Sequence, residues 1–420
     1  MSALARFFLH EKKEVSGSDR TSSDITQALR AEGVKLCEGH SADNITDDID
    51  LVVYTEAVNP STEGYVELET ARQKGVLTMS YFEALGKVAN EYYLIAVAGT
   101  HGKTTTTAML TDILEEAEID LTAIIGSLRT KTGSNFRAGK SKYAVVEACE
   151  YKRDFLFLNP DVLVITNVEF EHVDYYADLA DVQSAFRELV LKVPDNGVII
   201  TDVGNPNITP VLEGVETKII DYKTKIDLNL KLHQPGIHNM MNAAAANAAA
   251  LHVGVPADVA HKALENFAGT WRRFEYKGKF MSDGGAIPVY DDYGHHPTEI
   301  SATINATKEM YNRHHIIVVF QPHTYSRTTK LLSNFATALA KADLVVLLPI
   351  HAAREENVTG ITGGEVATAI TEKGGNAVAV KTPEEAVAYV KSHIKTNGVV
   401  VSMGAGDMVT KVAEGLVDGN

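Results

Sequence analysis

The sequence predicts an α/β fold divided into three domains, each organised around a largely parallel sheet. Strand-like apolar runs recur along the chain: Leu51-Val52-Val53-Tyr54, Ala144-Val145-Val146, Val162-Leu163-Val164-Ile165, Ile316-Ile317-Val318-Val319-Phe320 and Leu344-Val345-Val346-Leu347-Leu348. They alternate with helical segments, the pattern of parallel sheets covered by helices on both faces. At 420 residues the chain also exceeds what one hydrophobic core ordinarily serves.

Met1-Ser2-Ala3-Leu4-Ala5-Arg6-Phe7-Phe8-Leu9-His10 reads as an amphipathic helix, followed by a strand around Glu14-Val15 that ends in Ser16-Gly17-Ser18-Asp19. A nucleotide-binding unit places a strand and a glycine-rich turn before such a helix. Neither is found here, so a true start about a dozen residues upstream is expected, one strand plus a turn. The first domain is assigned to residues 1–90, the second to 91–273 and the third to 274–420, whose strand series is expected to start at Pro288-Val289-Tyr290.

A formal charge of −16 argues against a nucleic-acid partner, which demands a basic surface. No apolar run is long enough to span a bilayer and no leader pattern opens the chain, so a cytoplasmic protein is expected. Cys37 and Cys149 are too few for a disulfide framework and are each expected to be small interior side chains.

The most informative segment is Gly99-Thr100-His101-Gly102-Lys103-Thr104-Thr105. The preceding run Tyr93-Leu94-Ile95-Ala96-Val97-Ala98 is a buried-strand pattern, and from Ala108 apolar residues recur at helical spacing. A strand, a glycine-flanked lysine and a helix N-terminus together form a phosphate cradle. Gly99 and Gly102 let the backbone turn its amides inward, Lys103 neutralises the β- and γ-phosphates of ATP, and Thr104 offers an oxygen to Mg2+. Val97 stands where the strict Walker pattern has its first glycine.

Five further segments carry candidate chemistry. Glu147 ends the strand that begins at Tyr143, facing the loop, where an acid either binds Mg2+ or is a plain surface carboxylate. Thr166-Asn167-Val168-Glu169-Phe170-Glu171-His172-Val173-Asp174 packs three acids and a histidine into one loop. Asn239 and Asn242, ahead of an alanine-rich helix through Ala250, can pair with both edges of adenine, while His238 or Asn239 can equally cap that helix. Asp291-Asp292-Tyr293-Gly294-His295-His296-Pro297-Thr298-Glu299 and Phe320-Gln321-Pro322-His323-Thr324-Tyr325-Ser326-Arg327-Thr328 name no reaction when read alone.

Together these segments resemble the Mur ligase family of ATP-dependent amide-forming enzymes in peptidoglycan synthesis, over essentially the whole chain. The last two segments, with Ala352-Ala353-Arg354-Glu355 and Gly404-Ala405-Gly406-Asp407-Met408, resemble the branch that joins L-alanine to UDP-N-acetylmuramate. Ser184-Ala185-Phe186-Arg187, where several relatives carry a carbamylated lysine, points the same way. The resemblance implies a Rossmann-like N-terminal domain truncated before Met1, a central P-loop ATPase-like domain and a C-terminal Rossmann-like domain. It implies ATP and Mg2+ as cofactors, with Thr104, Glu147 and His172 as metal ligands and Lys103, Arg273, His323 and Arg327 completing the catalytic set. Gly99 to Thr105, Asn239, Asn242, Arg273, Asp292, Tyr293 and His295 would bind the nucleotide. His323 and Arg327 would meet substrate carboxylates, a geometry an arginine fork suits. Arg272 reads as structural. Cys149 and Tyr151 depart from the family's aspartate and serine. A ligase for another amino acid, and a catalytically silent nucleotide-binding relative, remain the alternatives.

Overall fold

Six consecutive apolar or aromatic residues, Tyr93–Ala98, form the strand on which the central sheet is built; all but Tyr93 are buried. The computed structural model describes residues 1–227, 229–282, 285–353, 355–395 and 397–417. In chain order its strands are β1 (Ser16–Asp19), β2 (Lys35–Glu38), β3 (Leu51–Tyr54), β4 (Leu77–Ser80), β5 (Tyr93–Ala98), β6 (Thr122–Arg129), β7 (Ser134–Arg137), β8 (Tyr143–Glu147), β9 (Val162–Ile165), β10 (Val198–Thr201) and β11 (Lys218–Asp221). The remaining strands are β12 (Glu275–Ser282), β13 (Gly285–Asp292), β14 (His315–Phe320), β15 (Leu344–Leu347), β16 (Ala377–Ala379) and β17 (Gly398–Met403).

The central sheet runs β11-β10-β9-β5-β8-β6-β7 and is parallel except for the edge strand β7. Its two faces are covered by separate apolar clusters. One holds helix Lys103–Glu116 and the alanine-rich helix Ile237–His252; the other holds helix Leu179–Val190 and the segment around Phe155. The C-terminal sheet runs β12-β13-β17-β14-β15-β16, parallel except for β12, again with a cluster on each face. In a parallel sheet the loops after the strands gather at one edge, so β5, β8 and β9 deliver the 99–105, 147–151 and 166–174 loops to the same place. The N-terminal strands form two separate parallel pairs, β1-β2 and β3-β4. Helix Ser2–His10 is tied to the rest by Arg6, which bonds Glu32 and the Asn135 side chain of β7.

Four expectations need correction. The C-terminal strand series begins at Glu275, not at Pro288; the sequence Glu-Tyr-Lys-Gly-Lys-Phe-Met-Ser lacks an apolar run because β12 is a half-exposed antiparallel edge. The helix after the ATP loop begins at Lys103, five residues before its apolar periodicity shows. Asn239 and Asn242 lie inside the alanine-rich helix, whose N-cap is Gly236 with no side-chain cap. Cys37 is exposed on β2, in a strand pair that covers little of either face, and Cys149 is only partly covered. Arg354 lies outside the described residues.

Candidate active site

The loop between β5 and its helix needs glycine at both turns. Gly99 and Gly102 have φ of 136° and 81°, and a Cβ on them would come within 2.0 Å of Thr166 Oγ1 and 2.3 Å of Asn242 Oδ1. The loop is stitched to the 166–174 loop: the Glu169 amide donates to Thr100 Oγ1 at 2.8 Å, and the His101 amide donates to Asn167 Oδ1 at 2.9 Å. Asn242 thus abuts the loop directly, while Asn239 Nδ2 donates to the Pro235 carbonyl at 2.9 Å. Thr105 is buried in the first helical turn.

Lys103 is nearly enclosed. Its Nζ donates to the carbonyls of Gly99 and Thr100 at 2.6 and 3.0 Å and sits 2.8 Å from Glu150. Burial opposes its charge, but Glu150 outweighs that and raises its pKa. Thr104 Oγ1 donates to Glu147 Oε1 at 2.9 Å, and the Gly126 amide donates to Glu147 Oε2 at 2.7 Å. A Cβ at Gly126 would lie 2.5 Å from those oxygens, so β6 leaves room for this carboxylate only as glycine. His172, with φ of 51°, places Nε2 3.1 Å from Glu150 Oε1. Burial disfavours the charged form of Glu150, yet Lys103 and His172 hold its pKa below the ordinary carboxylate value. Glu150 therefore joins the lysine to the histidine. It was missed as a site residue in the sequence because its two partners lie 47 and 22 residues away.

The C-terminal domain closes the other side. Arg327 donates Nε to Glu171 Oε1 at 2.8 Å, its Nη2 lies 2.6 Å from the same oxygen, and its Nη1 is 3.0 Å from His323 Nδ1. His323 stacks on His351 at 5.2 Å and meets His295 edge-on at 6.0 Å. Burial pushes the pKa of His295 down to about 4 and that of His323 to about 3, with Arg327 adding to both. Both rings are neutral at physiological pH and act as hydrogen-bonding groups.

Arg273 lies over the Tyr293 ring at 4.9 Å and 3.9 Å from Glu299, partly exposed toward the cleft. Arg272 also lies over Tyr293, at 5.3 Å, but is buried on Asp291 and on the Gly404 carbonyl. Asp292 accepts the amides of Phe274 and Gly294 at 2.8 and 2.7 Å, fixing the chain between the two domains; burial raises its pKa to about 6. His101 bridges the seam, with Nε2 3.5 Å from Glu169 and Nδ1 3.3 Å from Glu299. Burial opposes its charge, but Glu299 and Glu169 raise its pKa to about 10. The residues singled out in the sequence thus converge on one seam, where Lys103, Thr104, Glu147 and His172 face His295, His323 and Arg327. Glu171 and Glu299, which were not singled out, carry the pairing across it.

Comparison with known proteins agrees with this architecture. Three family models match: the Mur ligase family catalytic domain over residues 1–93, the Mur ligase middle domain over 97–225 and the Mur ligase glutamate ligase domain over 272–406. UDP-N-acetylmuramate--L-alanine ligase of Agathobacter rectalis is 38% identical over 437 residues, covering 97% of this chain and 94% of that protein. The chain belongs to the Mur ligase family. Among solved structures, this Mur ligase is similar to UDP-N-acetylmuramate-alanine ligase from Thermotoga maritima, with a TM-score of 0.80, 28% identity and coverage of 98% and 94% of the two chains. A murein peptide ligase from Psychrobacter arcticus follows at a TM-score of 0.71 and 26% identity, covering 98% of this chain and 94% of that one.

Proposed function

We propose that this Mur ligase joins L-alanine to UDP-N-acetylmuramate, with ATP converting the muramyl carboxylate into an acyl-phosphate. The carboxylate oxygen attacks the γ-phosphorus and ADP departs; the alanine amine then attacks the acyl carbon, phosphate leaves and the amine loses a proton. The observation that carries the reading is the meeting of a phosphate loop with a neutral-histidine and arginine cluster across one seam.

The residues fit the nucleotide and its metal. Two turns that admit only glycine, with helix amides behind them, suit phosphate oxygens. The Thr104 hydroxyl and the Glu147 carboxylate, 2.9 Å apart, form an oxygen donor set of the kind Mg2+ takes, with His172 on the facing loop as a third candidate. Bound there, Mg2+ would neutralise charge on the transferring phosphoryl group. Lys103 supplies a fixed positive charge at the neck of the loop, and Arg273, held over Tyr293, supplies a second from the C-terminal side. Asn239 and Asn242 flank the adenine position beside Gly102. His323, neutral at working pH, accepts from Arg327 at Nδ1 and so presents an Nε2–H donor, suited to a substrate carboxylate. Most of the catalysis expected here is alignment of three substrates plus charge neutralisation.

No helix among the described residues is long and apolar enough to cross a membrane. Because ATP and UDP-N-acetylmuramate are nucleotides, we assign the reaction to the cytoplasm. The test is product analysis. Incubation with ATP, Mg2+ and UDP-N-acetylmuramate should yield a product heavier by one alanyl residue with L-alanine, and much less adduct with glycine or serine. Equal incorporation of all three would refute the alanine assignment.

A further inference from the structure

We propose that His101, Glu171 and His296 form a binding site for a divalent transition-metal cation of the Zn2+ class, bridging the ATP loop and the C-terminal domain. Each residue offers one ligand atom, and the three atoms lie within 4.8 Å of one another. They come from three separate segments: the loop after β5, the loop after β9 and the N-cap of helix Pro297–Met310.

The second observation concerns His101 Nε2, which is buried and makes no hydrogen bond, with Glu169 Oε2 3.5 Å away as its ion-pair neighbour. Glu169 and Glu299 hold a proton on this ring, and a metal cation at Nε2 would replace that proton as the positive charge between the two carboxylates. The same Glu169 oxygen is 3.9 Å from His296 Nδ1, so a second carboxylate stands beside the set. The rings of His101 and His296 are 4.7 Å apart and tilted by 34°, placing both imidazoles on one side of the gap.

The other bonds of these residues leave room for an ion. Arg327 and the His172 amide all engage Oε1 of Glu171. His296 holds only a long bond from the Thr298 amide at 3.3 Å, which coordination can displace. The charges around the gap are the carboxylates Glu169 and Glu299 and the guanidinium groups of Arg273 and Arg327, with His295 neutral beside them. The carboxylates flank His101 directly and favour a cation there.

Two imidazoles and a carboxylate select Zn2+, Co2+ or Ni2+ over Mg2+. The set therefore differs in donor chemistry from the oxygen-rich Thr104 and Glu147 pair. An ion held by the ATP loop on one side and by the C-terminal helix cap on the other would pin the two domains together. Loading would then slow any cycle that needs them to part.

The test uses the full chain without nucleotide, in excess Mg2+, titrated with Co2+ and followed by its visible d–d bands. The site predicts saturation at one Co2+ per chain and displacement by one equivalent of Zn2+. His296→Asn, which keeps a good helix cap but removes the ring, should weaken binding by at least tenfold; Glu171→Gln should weaken it too, and Glu147→Gln should leave it unchanged. Should His296→Asn fail to fold, Glu171→Gln and Glu147→Gln decide the matter alone. No saturable bands, full binding by a folded His296→Asn or Glu171→Gln, or loss of the bands in Glu147→Gln would each overturn the proposal. The inference stands apart from the ligase reading, since binding is measured without turnover.

Discussion

Arg327 and Glu171 form a buried ion pair across the seam between the central and C-terminal domains, at 2.6 Å, with side chains only 7% and 5% exposed. The arginine comes from the short helix after β14 and the glutamate from the loop after β9, 156 residues apart in sequence. Burial works against ionisation of Glu171, yet Arg327 and the neighbouring histidines hold its pKa far below the ordinary carboxylate value.

Removing one partner leaves the other as an uncompensated buried charge. Arg327→Ala is expected to destabilise the protein by about 3–5 kcal/mol. Arg327→Met combined with Glu171→Met should cost clearly less than either single change. Urea-unfolding midpoints of the parent, the two single Met variants and the double variant check this, and a double-variant loss equal to the sum of the two single losses would mean the pair carries no coupling.

Lys103→Met should lower the rate of ATP-dependent phosphate release by roughly 10²–10³-fold, the scale of a lost preorganised charge. Lys103→Arg should not restore it, because the lysine fits a neck formed by two carbonyls and Glu150, where a planar guanidinium has no matching geometry. Full activity in either variant would remove Lys103 from the mechanism.

Glu147→Gln keeps the shape and the Gly126 contact but loses the charge. The Mg2+ concentration for half-maximal activity should rise by roughly 10–100-fold, with a smaller effect on the KM for L-alanine. An unchanged Mg2+ dependence would assign the metal elsewhere.

Stability should peak between about pH 6 and 7. His238, His295 and His323 have pKa values pushed down by burial to about 4, 4 and 3, whereas in the unfolded chain they protonate near 6.5. The unfolded state therefore binds more protons below pH 6.5, and stability falls on acidification. Asp292 and Asp154, raised by burial to about 6 and about 7, oppose this, while the Met1 amine, lowered by burial to about 6, adds to the three histidines. Glu169 and Glu299, with pKa values held below 4.5, add stability that is lost only at still lower pH. On the alkaline side His101, raised to about 10, contributes fully below 6.5 and loses that contribution as pH rises toward 10. Thermal midpoints from pH 5 to 9 should trace this dome, and His323→Asn should flatten its acid limb. An acid limb with no slope in the parent protein would contradict the histidine assignments.

Where an element is defined by its own residues, it was legible in the sequence. β5, β9 and, after His315, β14 are uninterrupted apolar runs, and the Gly99 to Thr105 loop announces itself because positive φ demands glycine and phosphate demands a lysine. The start of the following helix was hidden because Thr104 to Thr107 look like loop residues; their hydroxyls are buried instead, with Thr107 Oγ1 bonding the Lys103 carbonyl at 2.8 Å. β12 was hidden because an edge strand needs apolar residues on one face only. Glu150, Glu171 and Glu299 were missed as site residues for another reason. A carboxylate's role is set by the partner it meets, and those partners come from distant strands or from the other domain.

The central claim is tested most directly by phosphate release from ATP with Mg2+ and UDP-N-acetylmuramate, measured with and without L-alanine on this chain. The account predicts steady release that requires alanine and disappears in Lys103→Met. Release that is indifferent to alanine, or none under any condition from folded protein, would contradict it.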